Sequence, residues 1–206
     1  MKDYYEELWE RLPEQLQPPH FDVRRRFLRE HVRAGDRALD LGCGTGTFTA
    51  LLAEAGAEPV GVEVAEAALR RAHVYHPDLR FLLAPLHGAL PFQDGAYDVV
   101  WASEVIEHVA DTARWLSEVR RVLRPGGQLL LTTPNHTRLA ILLHGLERYA
   151  EPLSDHLHLY TRKSLKRTLD DFNFGEIVVY TAAGPLLMRQ LLLARAVRHG
   201  VGRRSD

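Results

Sequence analysis

The stretch RALDLGCGTGTFTALLAEAG, residues 37–56, decides the fold. It begins with a short apolar run, continues with glycines at positions 42, 44 and 46, and ends in apolar residues at helical spacing up to Gly56. This order predicts a strand, a glycine-rich turn and a helix. Ligands of open α/β sheets bind beyond the strand ends, and glycine lets the backbone approach them closely. The turn is therefore the first candidate binding site.

Apolar runs alternate with amphipathic segments along the rest of the chain. Strands are predicted at 58–64, 79–84, 96–103, 128–134 and 175–182, and helices at 65–75, 111–124, 161–174 and 185–199. Continuous apolar strands alternating with helices indicate a doubly wound, mostly parallel α/β sheet covered on both faces. The last helix, which carries arginines, is expected to follow the sixth strand, and no further strand is visible after it. The sheet is therefore expected to have six or seven strands.

Helical segments outside this alternation are expected to cover the sheet. Two amphipathic helices precede it, at 4–12 and 23–32, separated by prolines, and an apolar helix at 138–149 follows strand five. We expect one domain made of a helical cap, a cofactor-binding core, a lid and a C-terminal crossover, strand and helix: residues 1–35, 37–134, 135–160 and 161–206.

The composition excludes several classes of protein. The chain has 26 basic and 27 acidic residues, so no global field would recruit nucleic acid or an anionic membrane. Its one cysteine, Cys43, excludes a disulfide scaffold and favours a cytoplasmic location. Neither a signal peptide nor a membrane span is expected, because the first residues are charged and no apolar run is long enough.

Two acids flank the glycine turn in the predicted sheet. Asp40 lies just before the turn, and Glu63 closes the second strand. The glycine spacing is GxGxG, not the GxGxxG that a dinucleotide pyrophosphate requires. An acid beside the turn suits a ligand amine, and an acid at the end of strand two can accept both ribose hydroxyls. Together the two carboxylates predict an aminoacyl nucleoside as ligand.

In these residues the chain resembles the class I S-adenosylmethionine (SAM) dependent methyltransferases. The resemblance rests, in family order, on ALDLGCGTG (38–46), GVE (61–63), LPF (90–92), YDVV (97–100) and LRPGG (123–127). It implies SAM as the cofactor. The implied cofactor contacts are Asp40, Gly42, Cys43, Gly44, Thr45, Gly46, Glu63, Val64 and Ser103.

The chain departs from the family pattern at two places. Where an acid often holds the adenine amino group, it has Leu86 and His87, which are expected to supply apolar or backbone contacts. Arg24 is expected to reach the cofactor carboxylate, although a triple arginine is more often a solvated helix face. Family members usually carry a seventh strand, antiparallel between strands five and six. Its absence would leave a sheet edge under the last helix that could pair with a second subunit.

A cluster of acids and a histidine follows strand four. Glu104, Glu107 and His108 would share one face of a helix, so two carboxylates and an imidazole could bind a divalent ion such as Mg, Mn or Zn. With the segment DHxxxxTR (155–162), this pattern resembles the ubiquinone-pathway O-methyltransferases and the Hen1-type RNA 2′-O-methyltransferases. The resemblance implies His156 as the fourth ligand. Without metal, His108 would act as the general base and the glutamates as acids at a helix start.

The resemblance implies methyl transfer to an oxygen of a small-molecule acceptor, assisted by this cluster. The alternative within enzymes is an RNA ribose 2′-O-methyltransferase, against which the near-neutral charge counts. The alternative outside them is a SAM- or nucleotide-binding regulatory domain without catalysis. The helices at 138–149 and 185–199 could contact a membrane, but we favour a lid for the first and packing or dimerisation for the second.

Overall fold

A computed structural model describes residues 2–14, 17–85, 88–137, 139, 141–142, 156–185 and 189–200. Within these residues, one sheet is built from β1 (Arg37–Leu41), β2 (Glu58–Glu63), β3 (Arg80–Leu83), β4 (Tyr97–Ser103), β5 (Leu123–Pro134), β6 (Phe174–Ala182) and β7 (Leu191–Arg198). Its order is β3-β2-β1-β4-β5-β7-β6, and β7 runs antiparallel to both neighbours. The predicted doubly wound α/β class is confirmed.

Helices cover both faces of the sheet. They are α1 (Lys2–Arg11), α2 (Phe21–His31), α3 (Thr47–Glu54), α4 (Glu66–Tyr75), α5 (Thr112–Val122) and α6 (Arg162–Asp171). One buried cluster joins α2 and α3 to the fully buried Trp101 of β4. A second, larger cluster joins apolar residues of α5 and α6 to β5 and β7. The side chain of Asp111 caps the start of α5, where it accepts a hydrogen bond from the Arg114 amide at 2.9 Å.

The predicted C-terminal helix at 185–199 is wrong. Residues 191–198 form β7, which pairs with β5 from Gln128↔Val197 to Pro134↔Leu191 and with β6 on its other side. The run LLLARAV is buried along most of its length because β7 lies inside the sheet. A short apolar run with both faces covered cannot be distinguished from a buried helix by periodicity. The sheet edge that was expected to lie under a last helix is therefore not formed by the described residues, because β7 occupies the position between β5 and β6.

One strand boundary also differs from expectation by several residues. The strand β5 begins at Leu123 rather than at 128. Its pairing with β4 shifts register between Tyr97 and Val99, where the Pro-Gly-Gly segment of β5 lies opposite. Most of the predicted lid helix at 138–149 lies outside the described residues, although residues 139, 141 and 142 are helical. Among the helices of the described residues, none is both long and apolar enough to cross a membrane.

Candidate functional site

A cavity of about 290 Å³ lies at the carboxyl ends of β1, β2 and β4. Its floor is the glycine turn together with Glu63, Val64 and Ser103. Its remaining walls come from Arg24 of α2, from Glu104 and His108 after β4, and from α1 and the segment behind it. The cavity therefore brings together most of the residues that the sequence assigned to cofactor binding, namely Arg24, Gly42, Cys43, Gly44, Thr45, Glu63, Val64 and Ser103.

The glycine turn is pinned to β2 by its backbone. The amides of Gly42 and Cys43 both donate to the Val62 carbonyl, at 2.8 and 3.0 Å. Gly44 has φ +53°, and a Cβ placed on it would lie 3.0 Å from two ring carbons of Trp9. Only glycine fits easily at a position that needs both a left-handed backbone and this close approach.

Glu63 lies at the end of β2, only 7% exposed, with its carboxylate turned toward backbone amides. Its Oε1 accepts from Val64 and Ala65 at 2.7 and 3.2 Å, and its Oε2 accepts from Gly44 at 3.0 Å. Burial raises the pKa of this carboxyl, while the three amides oppose the rise. A carboxylate has about four acceptor positions. A ribose diol that used Glu63 for both hydroxyls would therefore displace one of these amides.

Asp40 lies beneath the turn rather than in the cavity wall. It is 1% exposed, and the Thr49 hydroxyl donates to its Oδ2 at 2.6 Å. Burial raises the pKa of this carboxyl to about 7. Of the described residues predicted to contact the cofactor, only Asp40 and Gly46 lie outside the cavity lining, Gly46 being packed against Phe81. In this geometry the carboxylate of Asp40 is therefore not placed for the expected direct contact with a ligand amine.

A smaller cavity of about 50 Å³ adjoins the first beyond β2 and β3. It shares Gly42, Glu63 and Val64 with the main cavity, and its other walls include Ala84, Pro85, Leu90 and Trp115. These walls are largely apolar, but they also include the carboxylate of Glu118, which accepts from the Leu90 amide and pairs with Arg121. The expectation of an adenine contact without an acid stays a prediction. Leu86 and His87 lie outside the described residues.

Arg24 links three elements behind the cavity. Its guanidinium donates to Ser103 Oγ at 3.2 Å and forms an ion pair with Glu104 Oε2 at 3.1 Å. It is 2% exposed, and burial lowers its pKa while the charge of Glu104 opposes this. Thr132 of β5 donates to the other oxygen of Glu104 at 3.1 Å. Glu104 itself has φ +56°, a left-handed conformation that is uncommon outside glycine.

The acid and histidine cluster differs from the predicted helix face. After β4 the chain makes only a 3-10 turn, Ile106–His108, and the left-handed Glu104 directs its carboxylate to Arg24. Glu107, His108 and His156 do meet, each offering one ligand atom within 4.8 Å of the others. Of the four predicted metal ligands, three thus come together and Glu104 is held elsewhere.

Glu107 is the most deeply buried acid of this cluster, with no exposed surface. Its Oε2 accepts from the Thr133 hydroxyl at 2.9 Å, and its Oε1 lies 3.8 Å from His108 Nε2. Within the described part of the chain, Oε1 has no hydrogen-bond partner. Burial, followed by the charge of Glu104, raises the pKa of Glu107 well above its usual range. The site therefore holds a buried carboxyl that favours either a proton or a cation.

The neighbouring histidines have different surroundings. The rings of His108 and His156 are 4.6 Å apart, centre to centre, and His136 lies 6.5 Å from His156. Burial lowers the pKa of His136. His158 Nε2 lies 2.9 Å from the Val109 carbonyl and 3.1 Å from the Thr112 hydroxyl, which fixes the loop to α5 as a structural histidine would.

Sequence reasoning assigned no individual role to α1. Four apolar residues of α1 and the position after it line the cavity, Tyr5, Leu8, Trp9 and Leu12. The ring of Tyr5 meets that of His108 edge to face at 6.2 Å. The apolar residues at helical spacing indicate that one face of α1 is buried, but the same pattern fits a helix packed anywhere on the core and does not point to the cavity. Thr132 was also missed, although it follows directly on the apolar run of β5.

A family model described as a methyltransferase domain matches residues 8–177. The chain belongs to the class I SAM-dependent methyltransferase family. The chain is 33% identical over 126 residues to a ubiquinone biosynthesis O-methyltransferase from Methylococcus capsulatus, covering 59% of this chain and 53% of the relative. It is 38% identical over 106 residues to the 27-O-demethylrifamycin SV methyltransferase of Amycolatopsis mediterranei, covering 48% of this chain and 39% of the relative.

The fold of the chain is shared with solved structures. Phosphoethanolamine N-methyltransferase 2 from Haemonchus contortus, in complex with S-adenosyl-L-methionine, matches with a TM-score of 0.73 at 16% identity. The match covers 97% of this chain and 58% of that chain. The resemblance to this family that the sequence suggested is confirmed. The chain spans about half or less of the length of the two relatives named above.

Proposed function

We propose that this methyltransferase domain binds SAM in the main cavity and transfers its methyl group to an oxygen of a small-molecule acceptor. The observation that carries the proposal is that the glycine turn, Glu63 and His108 line one cavity. A cofactor held by the turn and Glu63 would therefore meet an acceptor held beside His108. The O-methyltransferases among the relatives support oxygen as the acceptor atom.

His108 is the proposed general base. A ring nitrogen accepts the proton of the acceptor hydroxyl while the oxygen lone pair attacks the methyl carbon in line. The carbon–sulfur bond breaks, its electron pair stays on sulfur, and S-adenosylhomocysteine leaves. A base of this kind accelerates a reaction by about 10²–10⁴-fold. Because the sulfonium already activates the methyl group, holding the two reactants in line supplies much of the remaining rate.

A divalent cation also fits the residues beside His108. The orphaned Oε1 of the buried Glu107 and the close approach of His108 and His156 form a credible donor set for Mg, Mn or Zn. We propose that Glu107, His108 and His156 would hold the ion, with Glu104 left on Arg24. A bound cation lowers the pKa of a coordinated hydroxyl. His108 would then serve as a ligand instead of a base.

A single assay distinguishes these roles. Methyl transfer from labelled SAM is measured across catechols, sugars, carboxylates and RNA ends, with and without chelator and added Mn²⁺. A product on a catechol or sugar hydroxyl supports the proposal, whereas methylated RNA, or no product with any acceptor, would overturn it. Loss of activity with chelator and recovery with Mn²⁺ would assign the metal role to Glu107, His108 and His156. Indifference to both would assign the base role to His108.

The variant His108→Gln tests the residue itself. We expect it to bind S-adenosylhomocysteine in calorimetry about as wild type does and to lose about 100-fold or more in turnover. His73→Gln is the matched control, since His73 is an exposed residue of α4 whose ring meets Phe81 outside the main cavity. Equal turnover in both variants, or loss of cofactor binding in His108→Gln, would contradict the assigned role.

A further inference from the structure

The helix α1 is tied to α4 by a carboxylate. Glu6 accepts hydrogen bonds from the amides of Glu66 and Ala67, at 2.7 and 2.9 Å, in the first turn of α4. The residue before that helix is Ala65, which has no side-chain acceptor to cap it. The first amides of a helix have no partner within the helix, so they require one from outside. Glu6, about 60 residues earlier in the chain, supplies that partner.

Glu6 and Glu63 share the start of α4. Glu63 takes the amides of Val64 and Ala65, and Glu6 takes the next two. Four consecutive amides are therefore bound by two carboxylates from different parts of the chain. The pair is close enough for the charge of Glu6 to raise the pKa of Glu63, after burial as the main cause. The tie of α1 thus lies directly beside a residue of the cofactor cavity.

The residues on either side of Glu6 form a wall of that cavity. Tyr5 precedes it and packs against His108, and Trp9 lies one turn later against Gly44. Further contacts hold the far end of α1, where Arg71 donates to the carbonyls of Leu12 and Pro13. Glu6 is therefore the tie at the end of α1 where the helix meets His108.

We propose that Glu6 is a positioning residue: by capping α4 it holds α1 across the cofactor cavity, with Tyr5 against His108 and Trp9 against the glycine turn. This rests on the proposed function. Without the carboxylate, the first amides of α4 take water as partner and α1 leaves the cavity more often. Bound cofactor then dissociates more readily, and the Trp9 side chain becomes more exposed to water.

The test compares Glu6→Ala and Glu6→Gln with the matched control Glu10→Ala. Glu10 lies on the same helix, 62% exposed, and its contact with Arg70 is 4.0 Å long. We expect Glu6→Ala to weaken S-adenosylhomocysteine binding by about 3- to 30-fold, the range that loss of a helix cap implies. Glu6→Gln should recover part of that loss because its amide oxygen still accepts from the backbone. Glu10→Ala should bind as wild type does.

Tryptophan emission gives a readout that does not need an acceptor. Trp101 and Trp115 are buried, so a red shift in Glu6→Ala that disappears in a Trp9→Phe background reports the position of α1. Unchanged emission and unchanged affinity in Glu6→Ala, or equal losses in Glu10→Ala, would overturn the proposal. Failure of wild type to bind S-adenosylhomocysteine would refute the proposed function instead, while Trp9 emission would still show whether Glu6 holds α1.

Discussion

The buried Asp40 makes the stability of the cofactor-free protein depend on pH in a predictable direction. Its carboxyl is 1% exposed, and burial raises its pKa from 3.8 to about 7 despite the Thr49 hydrogen bond. At a pH between these two pKa values, the Asp40 carboxyl loses its proton in the unfolded chain and keeps it in the folded protein. Stability contributed by Asp40 is therefore complete below pH 3.8 and is lost as the pH rises through about 7.

The size of this effect follows from the pKa difference. A difference of about 3 corresponds to about 4 kcal/mol, at about 1.4 kcal/mol for each pKa unit. Over the accessible window from about pH 5 to 8, about 3 kcal/mol of it should appear. The Asp40→Asn variant removes the titration and keeps an oxygen that can accept from Thr49. As the pH rises from about 5 to 8, the unfolding free energy of Asp40→Asn should therefore increase relative to that of wild type by about 3 kcal/mol.

Urea unfolding at several pH values, without cofactor, measures this difference. Asp98→Asn is the control, because the pKa of Asp98 is lowered: burial would raise it, but the hydrogen bonds from Arg124 and Arg37 outweigh burial. Asp98 is ionised in both states across the window, so its substitution should change stability by a constant amount. The burial argument would be refuted if the difference in unfolding free energy between Asp40→Asn and wild type did not change with pH. It would also be refuted if wild type became more stable relative to the variant as the pH rises.

Three further predictions concern other parts of the molecule. Gly44→Val should abolish binding of S-adenosylhomocysteine in calorimetry, because φ is +53° and a Cβ would already lie 3.0 Å from Trp9; retained affinity would contradict the close packing. Ala194→Pro should lower the unfolding free energy in urea by about 1–3 kcal/mol, because proline removes a ladder hydrogen bond of β7 between two partner strands and leaves a buried group unpaired; a smaller loss would indicate an edge strand. Glu107→Gln should abolish any rise in melting temperature produced by Mn²⁺ in wild type, and a rise that persists would place the ion elsewhere.

The sequence by itself determined the strand, turn and helix around the glycines and the positions of Glu63 and Ser103 at strand ends. These features depend on local signals: apolar runs, a glycine turn and helix stops that act over a few residues. Parallel strands bring their carboxyl ends to one edge of the sheet, so residues at those ends meet whatever the details of packing. That is why most of the predicted cofactor residues line one cavity.

Only the tertiary structure decided β7, the direction of Glu104, the depth of Asp40 and the position of α1 at the cavity. The run LLLARAV suits a strand or a helix until β5 and β6 lie on both sides of it. Glu104 turns to Arg24 because its backbone is left-handed, which the spacing of E-x-x-E-H does not encode. The hydrogen bonds from Glu6 to the start of α4 join residues about 60 positions apart, and no local pattern specifies a contact at that separation.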